Sequence, residues 1–310
     1  DHAPPQVEDR IVMHGEGGAA KAPLYKRENL KIGQTITGPA VITESTGTVV
    51  IEEGWKAKLN TRNHLILERF KERPKRLAVG TQVDPVMLEV FNNLFMSIAE
   101  QMGTTLAKTS YSVNIKERLD FSCALFGPDG ELVANAPHLP VHLGAMSEAV
   151  KAQIRLREND LKPGDVFVSN HPAAGGSHLP DMTVMTPVFH PDSADEIIFW
   201  TAARGHHADI GGISPGSMPP DSRHIEEEGA CISSFKLVEN GQFQEIGITE
   251  HLLAPGKITP YPGRPRISGT RTLADNLSDL RAQVAANQKG VELVSEMVAP
   301  ESEVTIGIVG

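Results

Sequence analysis

The stretch DPVMLEVFNNLFMSIAEQMGTTL, residues 84–106, marks the point where the sequence changes its periodicity. Asp84 can cap a helix, and Pro85 suits the first helical position, where its missing N–H costs nothing. Apolar residues then recur at spacings of three and four, which places them on one helical face. This stripe consists of Leu88, Phe91, Phe95, Ile98, Met102 and Leu106. The spacing therefore predicts a long helix that packs this face into a core.

Upstream of this helix the sequence is typical of β-structure. Residues 1–70 contain short β-branched runs separated by Gly, Pro and Asn. The predicted strands are Ala40–Glu44, Thr48–Ile51, Trp55–Leu59 and His64–Leu67. A charged segment with Pro and Gly, residues 71–83, is interpreted as a linker. The pattern predicts a small β-rich module over residues 1–70, joined to a second domain over 84–310.

Downstream of the helix, strand patterns and helix patterns are mixed. The predicted elements are a hairpin over 120–134, a helix from Ala145 to about Arg157, two strands joined by a polar loop His190–Asp195, and a helix beginning near Leu273. This order favours an α+β fold with antiparallel strands and long helices over a doubly wound sheet. Neither G-x-G-x-x-G nor G-x-x-x-x-G-K-[ST] occurs, so the chain has no nucleotide-phosphate loop of those kinds.

Composition excludes several function classes. The chain has 310 residues and a net charge of −10, which argues against a surface for nucleic acid or anionic membranes. The acidic run at 226–228 is interpreted as a solvated face. Two cysteines, no signal peptide and no long apolar stretch predict a cytoplasmic protein. The chain begins without Met and ends in an apolar run, from which we expect a fragment of a larger protein.

Histidine is concentrated in one part of the sequence. Seven of the twelve histidines lie between residues 138 and 207, and four of these seven lie in NHPAAGGSHLPDMT (170–183) and RGHHADIGG (204–212). In each loop a histidine precedes an aspartate by three positions: His178 with Asp181, and His206 with Asp209. Both loops adjoin predicted strands, so they can converge at one end of a sheet. Imidazole with carboxylate suits Zn²⁺, Mn²⁺ or Fe²⁺, and oxygen-rich sites favour Mn²⁺ or Mg²⁺. The alternative is that these histidines are hydrogen-bonded structural residues.

Several long segments resemble the hydantoinase/5-oxoprolinase family. Four segments resemble the B-type subunit of that family: KERLDFSCALFGPDGELVANAPHLPVHLGAM, NHPAAGGSHLPD, RGHHADIGG and DLRAQVAANQKG. Residues 1–70 resemble the C-terminal end of the A-type subunit through GPAVITESTGTVVIEEGWKAKL. The resemblance implies an A-to-B fusion of the 5-oxoprolinase type, which opens 5-oxoproline to glutamate with ATP. It also implies that the ATP site lies in an A-type part that this sequence lacks.

The resemblance further implies a divalent metal, Mn, Zn or Mg, held by carboxylate and imidazole side chains. Carried over residue by residue, the implied ligands are Glu117, His178, Asp181 and one of His206 and His207. We expect Asp209 or Asp120 to fix the tautomer of a ligand histidine. His142 is the candidate general base, because its ordinary pKa lies near neutrality.

Three other functions remain open at this point. The first is an ATP-dependent hydantoinase, or an acetone carboxylase-like subunit, with the same site. The second is a metal-dependent hydrolase that does not use ATP. The third is a non-catalytic assembly portion whose histidine loops form an interface. The expected partners are a small cyclic amide, the remaining parts of the A-type and B-type modules and further copies of the chain in a homo-oligomer.

Overall fold

The computed structural model describes residues 4–15, 18–71, 85–136, 140–216 and 218–298. The chain divides into two compact units, residues 1–82 and 83–310. The predicted linker 71–83 and cap Asp84 fall almost entirely outside the described residues, as does the apolar run at the end of the chain. None of the helices in the described part of the chain combines the length and hydropathy that crossing a bilayer requires.

The described part of the first unit is built from strands, as predicted. They are β1 (Asp9–Gly15), β2 (Gly18–Lys26), β3 (Thr35–Thr37), β4 (Ala40–Thr43), β5 (Thr48–Ile51), β6 (Trp55–Leu59) and β7 (Leu65–Arg69). One sheet has the order β1-β2-β4-β5 and the other has the order β3-β6-β7. Tyr25, Ile36, Ile42 and Ile51 form the centre of a small core. The sequence pattern located β4 to β7 and missed the first three strands.

The second unit is a seven-stranded antiparallel sheet with helices on both faces. Its strand order is β14-β13-β10-β11-β12-β8-β9. The elements are α1 (Pro85–Thr109), α2 (Val113–Lys116), β8 (Phe121–Phe126), β9 (Leu132–Asn135), α3 (Pro140–Leu156), β10 (Val166–Ser169), β11 (Asp181–His190), β12 (Ser193–His206), β13 (Phe235–Glu239), β14 (Gln242–Phe243), α4 (Glu245–Leu253) and α5 (Leu273–Val298). The predicted α+β class is therefore confirmed.

Strand periodicity decides which helix each buried side chain meets. On β8, Cys123 and Leu125 join the cluster formed with α1 and α5, whereas Ala124 and Phe126 join the cluster formed with α3. The predicted α1 stripe is buried at Ile98, Met102 and Leu106. At the start of α1 the prediction of burial is wrong, because Leu88 is 61% exposed.

Other boundaries also differ from the sequence predictions. The polar loop expected over His190–Asp195 is reduced to a two-residue turn, because His190 pairs with Ser193 across the β11–β12 hairpin. Helix α3 begins at Pro140, five residues before the predicted start at Ala145. Helix α4 was not predicted.

The acidic run at 226–228 is not a uniformly solvated face. The Glu227 side chain is buried and forms a paired contact with Arg264, with Nε–Oε1 at 2.7 Å and Nη2–Oε2 at 2.9 Å. The backbone N–H groups of Arg223 and His224 also donate to Oε2 of Glu227. The hydrogen bond from Arg264 is the main reason that the pKa of Glu227 is lowered to about 2. This ion pair ties the 221–228 segment to the segment around Arg264.

We expect this ion pair to give the protein an acid-sensitive component of stability. Because the folded-state pKa of Glu227 is below its ordinary value of 4.5, its contribution is complete above that value and is lost as the pH falls towards about 2. Glu227→Gln should therefore unfold with a shallower dependence on pH over this range. Chemical denaturation at a series of pH values measures the slope. Equal slopes for the variant and the unchanged protein would show that the ion pair does not couple folding to this carboxylate.

Candidate metal centre

The β11–β12 hairpin places two of the predicted ligands opposite each other. Asp181 begins β11, His206 ends β12, and the two residues are antiparallel partners. The backbone N–H of His206 donates to the carbonyl of Asp120 at 3.0 Å. The backbone N–H of His207 donates to the carbonyl of Pro180 at 2.9 Å. The open end of the hairpin is therefore fixed to both neighbouring segments.

The loop of residues 170–180 brings the third side chain to this end. Its base is held by the buried Asn170, whose amide nitrogen donates to the carbonyls of Leu179 and Ala230 at 2.7 and 2.8 Å. In the middle of the loop, Gly175 has a positive φ of 79°. A Cβ there would lie 2.1 Å from the backbone nitrogen of Ala149 in α3. The close packing of the loop on α3 therefore requires glycine.

His178, Asp181 and His206 form one cluster. Asp181 Oδ2 lies 2.9 Å from His178 Nδ1, and Oδ1 lies 3.0 Å from His206 Nδ1. Ser177 Oγ donates to Asp181 Oδ2 at 2.5 Å. One donor atom from each of the three residues lies within 4.8 Å of the others. The Asp181 side chain is 1% exposed, whereas those of His178 and His206 are 21% and 15% exposed, so the imidazoles lie between the buried carboxylate and solvent.

The charges around the cluster act on His206. Burial lowers the pKa of His206, but the hydrogen bond and charge of Asp181, with the charge of Asp120, outweigh it and raise the pKa above its ordinary value. The buried Arg204 lies on the same side of the hairpin, and burial lowers its pKa to about 10 against the opposing charge of Asp181. Arg204 therefore remains a cation at neutral pH. The cluster thus has a buried carboxylate flanked by one fixed cation and two imidazole rings.

His207 lies outside this cluster and has a different environment. It is fully buried, and its Nε2 lies 3.1 Å from Gln283 Oε1 while its Nδ1 lies 3.1 Å from Asn276 Nδ2. The Gln283 amide nitrogen donates to the carbonyls of Met182 and Ala203, so its oxygen accepts from His207 Nε2–H. Burial is the main cause that lowers the pKa of His207. Both ring nitrogens are therefore engaged, which favours His206 over His207 as a ligand.

The remaining predicted residues have separate positions. Glu117 is exposed at the C-terminal end of α2 and is not part of the described cluster. Asp120 is half-buried beside His206. The carboxylate of Asp209 accepts from the Gly211 backbone N–H and from the backbone and guanidinium of Arg271. His142 lies in α3, and its side chain is outside the described part of the structure.

Sequence reasoning missed residues that support the cluster. Ser177, Arg204 and Gln283 each contact a cluster residue or a segment that carries one. A further signal lies on α5, where four buried polar residues recur on one face: Asn276, Asp279, Gln283 and Asn287. Buried polar side chains at helical spacing indicate hydrogen bonds to a neighbouring element. Here the amides of Gln283 and Asn287 donate to strand carbonyls of β11 and β12, and the amide of Asn276 donates to the carbonyl of Asp209.

The donor set fits a divalent metal ion. Two imidazoles and one buried carboxylate are ligands for Zn²⁺, Mn²⁺ or Fe²⁺. The carboxylate is oriented by Ser177, and the partial exposure of both imidazoles leaves a route from solvent. Three protein ligands leave room for further ligands, which is typical of catalytic sites.

Comparison with curated proteins gives close relatives. The 5-oxoprolinase 1 of Arabidopsis thaliana is 51% identical over 294 residues, which are 95% of this chain and 23% of that protein. The 5-oxoprolinase of Dictyostelium discoideum is 50% identical over 281 residues, covering 91% of this chain and 21% of that protein. The chain thus spans less than a quarter of the length of these relatives.

Solved structures show the same fold. The ATP-dependent caprolactamase of Pseudomonas jessenii superimposes with a TM-score of 0.59 and 32% identity, covering 72% of this chain and 35% of that chain. A nucleotide-free acetone carboxylase superimposes with a TM-score of 0.60 over 71% of this chain and 27% of that chain. At 21% identity the second likeness concerns the fold alone.

Family models cover both units. The C-terminal domain of hydantoinase/oxoprolinase matches residues 9–70, and hydantoinase B/oxoprolinase matches residues 84–306. The resemblance seen in the sequence is thereby confirmed, and the chain belongs to the hydantoinase B/oxoprolinase family.

Proposed function

We propose that this chain is part of an ATP-dependent enzyme that opens a cyclic amide, with 5-oxoproline as the substrate and glutamate as the product. The identity of about half of all positions with 5-oxoprolinases supports the substrate. The single structural observation that carries the proposal is Asp181 buried between two imidazoles at hydrogen-bond distance. The complete reaction belongs to the longer polypeptide, and the second unit of this chain contributes a metal site.

The chemistry explains why such an enzyme needs more than one module. An unstrained lactam resists hydrolysis because the amide resonance must be lost, and transfer of a phosphoryl group from ATP to its oxygen would make the carbon electrophilic. A metal bound here would supply Lewis acidity and lower the pKa of a coordinated water. His178, Asp181 and His206 would hold it. Glu117 remains the fourth ligand predicted from the family resemblance.

The other residues of the site hold these groups in place. Ser177 donates to Oδ2 of Asp181, and the Asp120 carbonyl accepts from the backbone N–H of His206. These contacts orient one carboxylate and one ligand strand before any ion arrives. Asp209 or Asp120 remains the residue proposed to fix the tautomer of a ligand histidine, and the charge of Asp120 adds to the larger effect of Asp181 in raising the pKa of His206. His142 remains the proposed general base.

A second candidate substrate is another lactam or a hydantoin. The likeness to an ATP-dependent caprolactamase, at 32% identity, favours the lactam class as a whole. The experiment is to assay the longer natural polypeptide with 5-oxoproline, hydantoin and caprolactam, with and without ATP. Turnover of 5-oxoproline alone supports the proposal, whereas turnover of caprolactam or hydantoin without turnover of 5-oxoproline would favour the second candidate. Turnover without ATP would contradict both.

The double histidine provides a direct test of the metal site. We expect His206→Gln to lower the metal content after dialysis by about tenfold or more, because it removes a ligand nitrogen. His207→Gln should keep its metal and only lower the melting temperature, because it disturbs hydrogen bonds to Gln283 and Asn276. Elemental analysis and thermal melts measure both effects. Loss of metal from His207→Gln with retention in His206→Gln would show that His207 is the ligand. Retention of metal in both variants would show that neither histidine binds it.

A further inference from the structure

A buried arginine connects the two segments that carry the histidines. Arg204 lies two residues before His206 on β12, and Thr183 lies two residues after Asp181 on β11. Side chains two positions apart on a strand point to the same face, so all four lie on one side of the hairpin. Arg204 is fully buried, and its Nε donates to Thr183 Oγ1 at 2.7 Å.

The second contact of Arg204 reaches the 170–180 loop. Its Nη2 donates to the carbonyl of Gly175 at 2.7 Å. Gly175 lies three residues before His178 and packs directly against α3. The guanidinium therefore spans from the hairpin that holds Asp181 and His206 to the loop that holds His178.

Burying a charged guanidinium at this position costs free energy of folding, which argues against a purely structural reason for arginine. Arg204 is paired with Thr183 and Ser122 on the adjacent strands, and farther along this face the buried residues are apolar: Phe167, Met185, Trp200 and Ala202. A charge in such surroundings is costly unless it is hydrogen-bonded. An apolar side chain would fill the same space at lower cost, but it would leave the Gly175 carbonyl without this donor.

We propose that Arg204 is a positioning residue for the candidate metal centre: its guanidinium sets the distance between the loop carrying His178 and the hairpin carrying Asp181 and His206. The inference rests on the proposed function, because it concerns the same site. Arginine suits the task because its planar fork donates in two fixed directions at once, whereas lysine donates from one point. Arg204→Lys therefore keeps the charge and removes the double contact.

The test compares Arg204→Lys with the unchanged 310-residue chain, using Zn²⁺ or Mn²⁺ alone as the probe. We expect metal affinity to fall by roughly 10- to 100-fold, as for other residues that orient ligands. The rise in melting temperature on adding metal should shrink accordingly. The control is Asn287→Ala, which removes buried hydrogen bonds to Val184 and Thr186 farther along β11. The control should lower the melting temperature with and without metal by the same amount.

The outcomes separate this inference from the proposed function. Unchanged metal affinity in Arg204→Lys, beside normal binding by the unchanged chain, would overturn the positioning role and leave the metal site standing. If the unchanged chain binds no metal, the metal site and the positioning role both fail. If it does bind metal, hydrogen exchange is a second readout of whether Arg204 holds the loop. The amides of Ala174, Gly175 and Gly176 donate within the loop, and faster exchange there in Arg204→Lys supports the inference. Unchanged exchange would overturn it.

Discussion

Asp181→Asn is expected to abolish metal binding while leaving the fold in place. Asp181 is the residue that both imidazoles approach, at 2.9 and 3.0 Å. Asparagine has nearly the same shape, but it is neutral and presents an N–H₂ group to one of the two rings. We expect the affinity for Zn²⁺ or Mn²⁺ to fall by more than about 100-fold, beyond the effect of removing a residue that only orients a ligand. Isothermal titration with metal measures the change.

The matched control for this variant is Asp165→Asn. Asp165 is another carboxylate that is 1% exposed, and it lies 3.0 Å from Lys236 rather than beside a histidine. Its replacement should destabilise the protein by removing one of the carboxylates that pair with Lys236, which keeps Asp160 at 2.8 Å, but metal affinity should not change. Metal affinity unchanged from that of the unaltered chain in both variants would show that Asp181 is not a ligand. Equal loss in both would show that the effect reflects general destabilisation.

Gly175→Ala is expected to have the largest effect on stability. The new Cβ would lie 2.1 Å from the backbone nitrogen of Ala149 and 2.5 Å from its Cα, and backbone atoms of a helix cannot move aside as a flexible side chain can. The positive φ adds strain of about 1–2 kcal/mol. We expect a total loss above about 4 kcal/mol in the free energy of unfolding, measured by denaturant titration. Metal affinity should fall as well, because the displaced loop carries His178.

Gly164→Ala measures the strain of a positive φ without the steric clash that a Cβ at Gly175 makes with α3. Gly164 has a similar positive φ of 84°, but a Cβ added there would meet open space, with no atom beyond its chain neighbours within 4 Å. We expect it to cost only the conformational strain of about 1–2 kcal/mol. If the two variants lose similar stability, the packing of the loop on α3 does not determine its conformation. A loss of metal affinity in Gly164→Ala would also contradict the role given to the loop.

The sequence predicted elements where local patterns agree with tertiary packing. Ile98, Met102 and Leu106 are buried because the helical stripe meets a sheet, whereas Leu88 continues the same stripe and is exposed. Burial depends on what lies opposite, and that information is not local. Strand β2 was not predicted because its sequence, GAAKAPLYK, is rich in residues that are depleted in strands. Helix α4 contains Gly247, which weakens a helical pattern and here packs against the ring of Phe235.

The candidate site was predictable in part. Two histidine loops beside strands indicated that His178, Asp181 and a residue of the double histidine would meet, and the structure brings them together. The choice between His206 and His207 could not be made from sequence, because the partner of His207 is Gln283, 76 residues away. Glu117 came from the family resemblance, and it remains a prediction. Arg204 gave no signal, since an arginine inside a strand pattern is ordinarily interpreted as exposed.

The hairpin that carries Asp181 and His206 has its turn at Pro191 and Asp192, at the opposite end of two long strands. Because strands rise by about 3.3 Å per residue, some ten residues separate this turn from the site by roughly 30 Å. A short peptide tag or a fluorescent label inserted at this turn should therefore leave metal binding at the candidate site unchanged. By the same reasoning, related proteins are free to vary the length of this hairpin, provided that both arms gain or lose the same number of residues.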